Sequence, residues 1–429
     1  SIKLSGKNIK ITIKKDNTPV TNGDLLVDKI LQETISDLTP NIQIVSEENV
    51  NEIVIELESS VVEIEKLKSS VKGGIKCEHC GIDLMNASIT QQKIAELDGY
   101  IMHKYQKEGL MTVLIGKEKE TFLMPSVNEE GIKEKTNINM NSWSDADGPD
   151  QALQEALSFT GSSNAKHIVI DEAMRSHFAL TLIEALPNPT YEFTSSTIGA
   201  LRMRKDDDEF INLKENALID DRAMQAGFAA IKEGVTELEI GEAINKHFIS
   251  EGAKPQFCIV GSGPNGAFPH HHTGNRKVEN GDVVLIDIGG RKGTFPSDMT
   301  RMSVLGEPPK DYLEVHAIVE RAVQAAMAAA KPGVMAKDVD AAARGIITEA
   351  GYGEFFVHRT GHGLGIDIHE PPYITATSEV VLDEGMVFSI EPGIYLQGRF
   401  GVRLEEIVIL RADGPEILSE LTRKTNFIK

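Results

Sequence analysis

The sequence predicts an α/β chain of at least two domains, and three observations carry that reading. Short apolar strands alternate with amphipathic helices over the first 200 or so residues. A helix–turn–helix pattern around Gly234-Val235 returns around Gly333-Val334. After each copy comes a very apolar hairpin that carries a pair of acids. A length of 429 residues leaves room for two or three separately packed cores.

The first 76 residues are rich in Ile, Lys and Asn. "IKLSGKNIKITIKK" alternates and predicts a strand or hairpin, and "NEIVIELE" predicts another strand. "NGDLLVDKILQETISDL" predicts a helix capped by Asn22 or Asp24. From 77 to 200, "MTVLIG", "ETFLMP" and "KHIVIDE" are short strands, while "DGPDQALQEALSF" and "MRSHFALTLIEAL" are helical. Asp147 is the expected cap of the first of these helices, with Pro149 in its opening turn. The segment reads as an open sheet covered by helices. The charged "LRMRKDDDEF" before a long helix marks the domain join. In the second half, "AAIKEGVTELEIGEAINKHFISEGA" and "AAAKPGVMAKDVDAAARGIITEAG" share a helix end, a Gly-Val turn and a second helix, which predicts two halves related by a pseudo-twofold.

Net charge is −21, from 65 acidic and 44 basic residues, and an acidic surface of that kind repels phosphate backbones. Nucleic acid is therefore not an expected partner. No apolar run approaches the roughly 20 residues that span a bilayer. The opening Ser-Ile-Lys-Leu-Ser lacks the apolar core of a signal peptide, so a cytoplasmic protein with no membrane partner is expected. Three cysteines, Cys77, Cys80 and Cys258, suit a reducing compartment. "CEHC" at 77–80 has no second pair to complete a zinc site and reads as two reduced thiols near a loop.

The chemistry lies in the hairpins. Asp287 sits within "VVLIDIGG", and Asp298 lies across the turn in "PSDMTRM". With the turn at Lys292-Gly293, the two acids are expected opposite each other on one face. Glu391 follows "MVFSI" and Glu405 lies in "GVRLEEIVIL", with Gly398 midway in the loop "LQGRFG". Facing acid pairs in buried strands are unstable unless something neutralises them, and a pair of divalent cations would do so. His362 in "TGHGLG" is the natural fifth ligand, because Gly361 and Gly363 let the backbone come close. Oxygen-rich ligands with one imidazole suit Mn²⁺ first, then Co²⁺ or Fe²⁺, with Zn²⁺ as a further candidate. Two such ions can lower the pKa of a bridging water.

"VLIDIGG…SDMTR", "GHGLGIDIHEPP", "FSIEPGIY" and "GVRLEE" together resemble the pita-bread metallopeptidases, on the Xaa-Pro dipeptidase (prolidase) and Xaa-Pro aminopeptidase branch. The resemblance is strong over about 200–429 and weaker over about 100–200. It implies an α/β (α+β) architecture in which a creatinase-like N-terminal domain, residues 1–203, precedes a pita-bread catalytic domain, residues 204–429. Residues 1–76 would be an extra or variant element of the first.

By resemblance, Asp287, Asp298, His362, Glu391 and Glu405 would hold two metals, with Asp298 and Glu405 bridging and Glu391 doubling as proton shuttle. His270 would lie near the leaving-group side, His369 would meet the substrate carbonyl, and Arg403 would orient a ligand or a substrate carboxylate. His358 is expected to be a satisfied structural histidine, and Arg301 to pair with a neighbouring acid. His271 and His272 would shape their loop.

The implied function is metal-dependent hydrolysis of the Xaa-Pro bond in short proline-containing peptides, by a homodimer. Some dipeptidases of the family carry an Arg just after the "HExP" stretch to grip the product-side carboxylate, and here that place is Tyr373. An aminopeptidase acting on longer peptides is accordingly the nearest alternative. A metal-free creatinase-type hydrolase and a catalytically inactive pita-bread interaction protein are the other two, and intact residues at all five ligand positions argue against both.

Overall fold

The structure, a computed structural model, describes residues 10–15, 45–46 and 50–56 by their backbone and residues 110–429 in full. The chain forms two compact units, 1–71 and 72–429. In the first unit, β1 (Lys10–Lys15) pairs parallel with β2 (Val45–Ser46) and antiparallel with β3 (Val50–Glu56). β1 and β3 fall where alternation predicted strands. The helix expected behind Asn22 or Asp24, and the Cys77–Cys80 pair, lie outside the described residues.

The described part of the second unit begins with β4 (Thr112–Ile115) and β5 (Glu120–Pro125), a short α1 (Glu129–Lys133), and β6 (Asn139–Trp143) parallel to β5. The next helix, α2 (Asp150–Phe159), buries Ala152, Leu153, Ala156 and Leu157, the i, i+1, i+4, i+5 stripe of an amphipathic helix. Its N-cap is Pro149, and Asp147 instead accepts a hydrogen bond from the Ser144 hydroxyl at 2.6 Å. Asp147 is thus held in the preceding turn and is not the cap its position suggested. After it come β7 (His167–Ile170), α3 (Ser176–Glu184) and β8 (Thr190–Phe193), with β7 and β8 parallel. Among the described residues the expected open sheet is therefore two small sheets, of three strands and two. Leu114, Leu123, Leu157 and Phe178 pack between them in one shared core.

A short α4 (Ile198–Arg202) leads into the long α5 (Asp207–Ala230). The acidic run ahead of α5 has a local purpose. Asp206 accepts from the Glu209 amide at 2.9 Å and Glu209 accepts from the Asp206 amide at 3.0 Å, so a full capping box starts the helix with three acids in its first turn.

The repeat read in the sequence is a repeat of structure. The helices α6 (Glu237–Ser250) and, later, Ala336–Glu349 are each 14 residues long. Each follows a turn at a glycine with positive φ, Gly234 at 82° and Gly333 at 88°, where a side chain would be strained. The two glycine amides donate to Val278 and Leu382 carbonyls, both at 2.8 Å. Between the copies run β9 (Lys254–Ser262), β10 (Val283–Lys292), β11 (Phe295–Pro296), β12 (Met299–Leu305) and α7 (Tyr312–Ala329), and Ala336–Glu349 is α8.

The rest of the chain is β13 (Gly361–Gly363), β14 (Glu370–Ile374), β15 (Val387–Ile390), β16 (Gly393–Leu396), β17 (Phe400–Arg403), β18 (Glu406–Arg411), β19 (Gly414–Ile417) and β20 (Asn426–Ile428). One sheet runs β11-β10-β12-β20 with β9 also on β10. The other runs β14-β13-β15-β18-β19, and β16 pairs with β17 alone.

Strand β10 is buried on both faces, as its unbroken apolar run predicted. Val284, Ile286 and Ile288 pack on the core under α5 and α6. Val283 and Leu285 turn the other way, into the core shared with α7, α8 and β15–β18. Asp287 continues that second row, so the pleat aims its carboxylate at the other half of the domain. No helix among the described residues is long and apolar enough to cross a membrane.

Arg301 on β12 is only 1% exposed and pairs with Glu406 at 3.0 Å. It also donates to the carbonyls of Leu421 (2.7 Å), Thr300 and Glu405. Its role is structural, as expected. Glu406 keeps a second partner, Arg423 at 2.9 Å, but removing Arg301 leaves the buried carbonyls it serves without that donor, at a cost of about 1–3 kcal/mol. Arg301→Met should accordingly lower the unfolding free energy by about that amount. Urea denaturation would read the loss, and a change below about 1 kcal/mol would contradict the structural role.

Candidate active site

In the first hairpin Asp287 pairs with Thr300, and Ile288 with Met299. The register is displaced by two residues from the one expected, because the turn falls at Gly293-Thr294, beyond the pair Lys292–Phe295. Asp298 is therefore not directly opposite Asp287. It lies just before β12, diagonal to Asp287, a shift that preserves the shared face.

The second hairpin holds the expected register throughout. Ser389 pairs with Ile407 and Ile390 with Glu406 in one ladder, and Gly393 with Arg403 in the other. Glu391 and Glu405 fall opposite each other in the gap between the two ladders. The hairpins are joined there. The Glu405 amide donates to the Thr300 carbonyl at 3.4 Å, and the Thr300 hydroxyl donates to Glu405 Oε2 at 2.8 Å.

His362 stands on β13 between two glycines whose smallness is required. A Cβ at Gly361 would run into the Ser389 carbonyl, and one at Gly363 into those of Glu370 and Pro371. The Nδ1 of His362 lies 3.0 Å from the Gly363 carbonyl and so carries the proton. That leaves the Nε2 lone pair facing Asp298 at 3.5 Å and Glu391 at 3.3 Å. Ser389 fixes both neighbours, its hydroxyl accepting from the His362 amide at 2.9 Å and donating to Glu391 at 3.0 Å.

Three groups of side chains converge closely enough to share an ion: Asp287, Asp298 and Glu405; His362, Glu391 and Glu405; and Asp298, His362 and His369, the ligand atoms of each lying within 4.8 Å of one another. Burial, aggravated by the neighbouring acids, pushes Asp298 and Glu405 well above the ordinary carboxylate range. Burial also raises Asp287, with Arg403 opposing it. For Glu391, burial is outweighed by His362, His358 and Arg403, and its carboxyl is held below the usual range.

Asp287 Oδ1 and Glu405 Oε1 are buried and have no hydrogen-bond partner. Orphaned carboxylate oxygens aimed at a common point, beside an imidazole lone pair, fit a pair of divalent cations.

Above these residues opens a cavity of about 1380 Å³ whose lining includes His270, His358, Arg359, His369, Tyr373 and Arg403. All eight residues singled out from the sequence thus meet at one place. The His369 ring packs edge-on against His362 at 4.1 Å. Burial, then the charges of His362 and Arg359, hold its pKa down to about 4, so it is neutral near pH 7. His270 sits in an exposed loop that is pinned beside it. Arg403 donates to the Pro269 carbonyl, and His271 pairs at 2.8 Å with the buried Glu237.

Arg403 itself is buried and committed to the protein, with Asp287 at 2.5 Å, Thr300 Oγ at 3.0 Å and the Tyr395 hydroxyl at 2.8 Å. One of those contacts falls on Asp287, which was itself expected to be a metal ligand.

Several participants were not foreseen. Tyr395 accepts from Arg403 and donates to His358 Nε2 at 2.7 Å, while His358 Nδ1 bonds the Arg359 carbonyl. His358 is thereby satisfied, as expected, and burial holds its pKa down to about 4. A tyrosine on an apolar strand reads as core, and only its partners reveal the relay. Glu370, next to His369, is buried between Lys205 and Arg202, both at 2.7 Å. Those cations are far away in sequence, so no local pattern pointed to them.

The comparisons with known proteins agree with this site. Metallopeptidase family M24 matches residues 212–412. The probable dipeptidase PepE of Mycobacterium tuberculosis is 37% identical over 323 residues, covering 70% of this chain and 85% of that protein. Among solved structures, a prolidase from Thermococcus sibiricus superposes with a TM-score of 0.70 at 37% identity, covering 76% of this chain and 89% of that one. An X-Pro aminopeptidase from Thermotoga maritima superposes with a TM-score of 0.65 at 32% identity, covering 78% and 95%. The fold and the acid clusters are those of a dinuclear metallopeptidase with the two-domain pita-bread architecture. The chain belongs to metallopeptidase family M24.

Metal removal tests the site directly. Asp298 and Glu405 have folded-state pKa values above their unfolded ones. The metal-free folded protein thus holds protons that the unfolded chain releases, and its stability falls as pH rises from the ordinary carboxylate range toward the raised values. A divalent cation competes with those protons and restores the loss at the high end. At about 100 times its Kd one such ion adds about 2.7 kcal/mol. The difference in Tm between protein with Mn²⁺ and protein with chelator should be larger at about pH 8 than at about pH 5.5, read by calorimetry. Equal differences at the two pH values would contradict a carboxylate-held cation.

Proposed function

We propose that the protein is an Xaa-Pro dipeptidase that hydrolyses the bond between a first residue and a carboxy-terminal proline, using two divalent cations held by Asp287, Asp298, His362, Glu391 and Glu405. The observation that carries the reading is the overlap of the clusters. Asp298, Glu405 and His362 each belong to two of them, and of these three only the two carboxylates have a second oxygen to offer a second ion, so Asp298 and Glu405 would be the residues shared between two ions. Mn²⁺ is the preferred ion for so oxygen-rich a set, ahead of Co²⁺, Fe²⁺ and Zn²⁺. The relatives named as prolidase and dipeptidase support the substrate class.

When bound, the cations neutralise the four carboxylates and supply Lewis-acid activation of water and of the scissile carbonyl. The chain's own residues do the rest. Glu391, its carboxyl held below the usual range, accepts the proton of the attacking water and passes it to the prolyl nitrogen, which leaves as a secondary amine. His369, neutral near pH 7, donates a hydrogen bond to the carbonyl oxygen as negative charge grows there. His270 lines the leaving-group side, and Arg403 holds Asp287 in its orientation. The prolyl nitrogen carries no N–H, so recognition has to come from the rest of the substrate.

The aminopeptidase reading is favoured by one observation, the size of the cavity, which at about 1380 Å³ has room for more than a dipeptide. The join between the N-terminal and catalytic domains is assigned to 203/204, with residues 1–76 as an added element. The compact unit 1–71 supports the added element. A cytoplasmic homodimer is the proposed working form.

Two experiments test the function. In an equimolar mixture of Ala-Pro and Ala-Pro-Ala, the Mn²⁺-loaded protein should consume Ala-Pro faster by chromatography. Faster loss of Ala-Pro-Ala would replace the dipeptidase with the aminopeptidase. Glu391→Ala should lower kcat by about 10²-fold or more while circular dichroism stays native, and near-native turnover would remove Glu391 from proton transfer.

A further inference from the structure

Four arginines line the cavity: Arg202, Arg291, Arg359 and Arg403. Three are already engaged. Arg202 is bound to Asp367 and Glu370. Arg291 donates to the Thr294 and Ile366 carbonyls. Arg403 is bound to Asp287, Thr300 and Tyr395. The Arg359 side chain alone has no hydrogen bond or ion pair among the described residues. It is half-buried, and its guanidinium lies 4.8 Å from the centre of the Tyr373 ring. Stacking of this kind limits the freedom of the cation while leaving its N–H donors unspent.

The pairing of β13 with β14 explains the placement. Gly361 pairs with Ile374 and Gly363 with Glu370, so Arg359 and Tyr373 meet at one end of the strand pair whose other positions carry His362 and His369. A half-buried guanidinium without an acid, in a cavity otherwise rich in acids, is matched to an anionic part of the ligand.

We infer that Arg359, steadied by the face of Tyr373, is the specificity-determining cation that receives the carboxy-terminal carboxylate of an Xaa-Pro dipeptide. The inference rests on the dipeptidase reading and deepens it. A dipeptide brings one amine and one carboxylate into the cavity. The acids suit the first and repel the second, and Arg359 is the uncommitted arginine among the described residues of the wall. In a longer peptide the carboxylate lies further from the scissile bond, so the same contact ranks dipeptides above tripeptides.

The test compares Ala-Pro with Ala-Pro amide, which differ only in the charge of that terminus. The Mn²⁺-loaded wild-type protein should favour the acid by about tenfold or more in kcat/KM. Arg359→Ala should reduce that preference by about 10- to 100-fold, the range for a hydrogen-bonded charge contact, with the loss in KM for the acid. Arg359→Gln keeps the length of the side chain and should show the same collapse, so the test survives if the alanine variant fails to fold. Loss of rate on both substrates in equal proportion, or an acid-to-amide ratio unchanged within about twofold, would overturn the inference and leave the dipeptidase standing. An absence of acid preference in the wild type would overturn it as well. Failure of the wild type to cleave either substrate, or Ala-Pro-Ala, would instead bring down the dipeptidase reading and the inference with it.

Discussion

The catalytic domain is organised around a repulsion. Asp287, Asp298, Glu391 and Glu405 are gathered from two hairpins into one small region, three of them almost fully buried. Like charges in a low-dielectric setting cost several kcal/mol each unless they are protonated or paired. The surroundings answer with partial measures: Arg403 on Asp287, Thr300 on Glu405, Ser389 on Glu391. Arg403 offsets the charge of Asp287, the two hydroxyls only orient Glu405 and Glu391, and two oxygens remain with no partner. Cancellation of the remaining charge is left to the cations, so the site's stability and its chemistry depend on the same event.

Much of this was legible in the sequence because hairpins have arithmetic. Paired residues are set by where the turn falls, and an acid inside an apolar strand is conspicuous. Glu391 and Glu405 were placed opposite each other by the position of Gly398 alone, and the ladder on each side of them bears this out. The first hairpin shows the limit. "RKGTFP" allows a turn at Lys292-Gly293 or at Gly293-Thr294, and only packing selects the second, which moves the partner of Asp287 from Asp298 to Thr300. The shift by an even number of residues kept both acids on one face, so the site survived the error. At Asp147 the failure was of another kind, since a competing hydroxyl at Ser144 captured the carboxylate before the helix began.

What could not be read were contacts between segments distant along the chain. Glu370 looks like any acid after a histidine, yet it is buried between Arg202 and Lys205 of the segment that leads into α5. Tyr395 looks like a core aromatic, yet its hydroxyl connects Arg403 to His358. The stacking of Arg359 on Tyr373 likewise follows from the pairing of β13 with β14, which brings together residues that no short motif contains.

The duplicated frame has a consequence for how the molecule can change. In each half the helix pair and the acid-bearing hairpin are in equivalent places, tied by the same hydrogen bond from Gly234 to Val278 and from Gly333 to Leu382. Between helix and hairpin each half has one connecting segment, and the second is the longer. The first carries His270. The second carries His362, His369, Arg359 and Tyr373. Four of the five residues proposed to hold the cations thus belong to the duplicated hairpins, and every group proposed to touch substrate, Glu391 apart, belongs to the connecting segments. Substitutions and insertions in those segments that spare His362 can alter which peptide is accepted and leave the acids of the centre untouched. Apart from His362 and Glu391, the two properties occupy different stretches of chain and are free to vary at different rates.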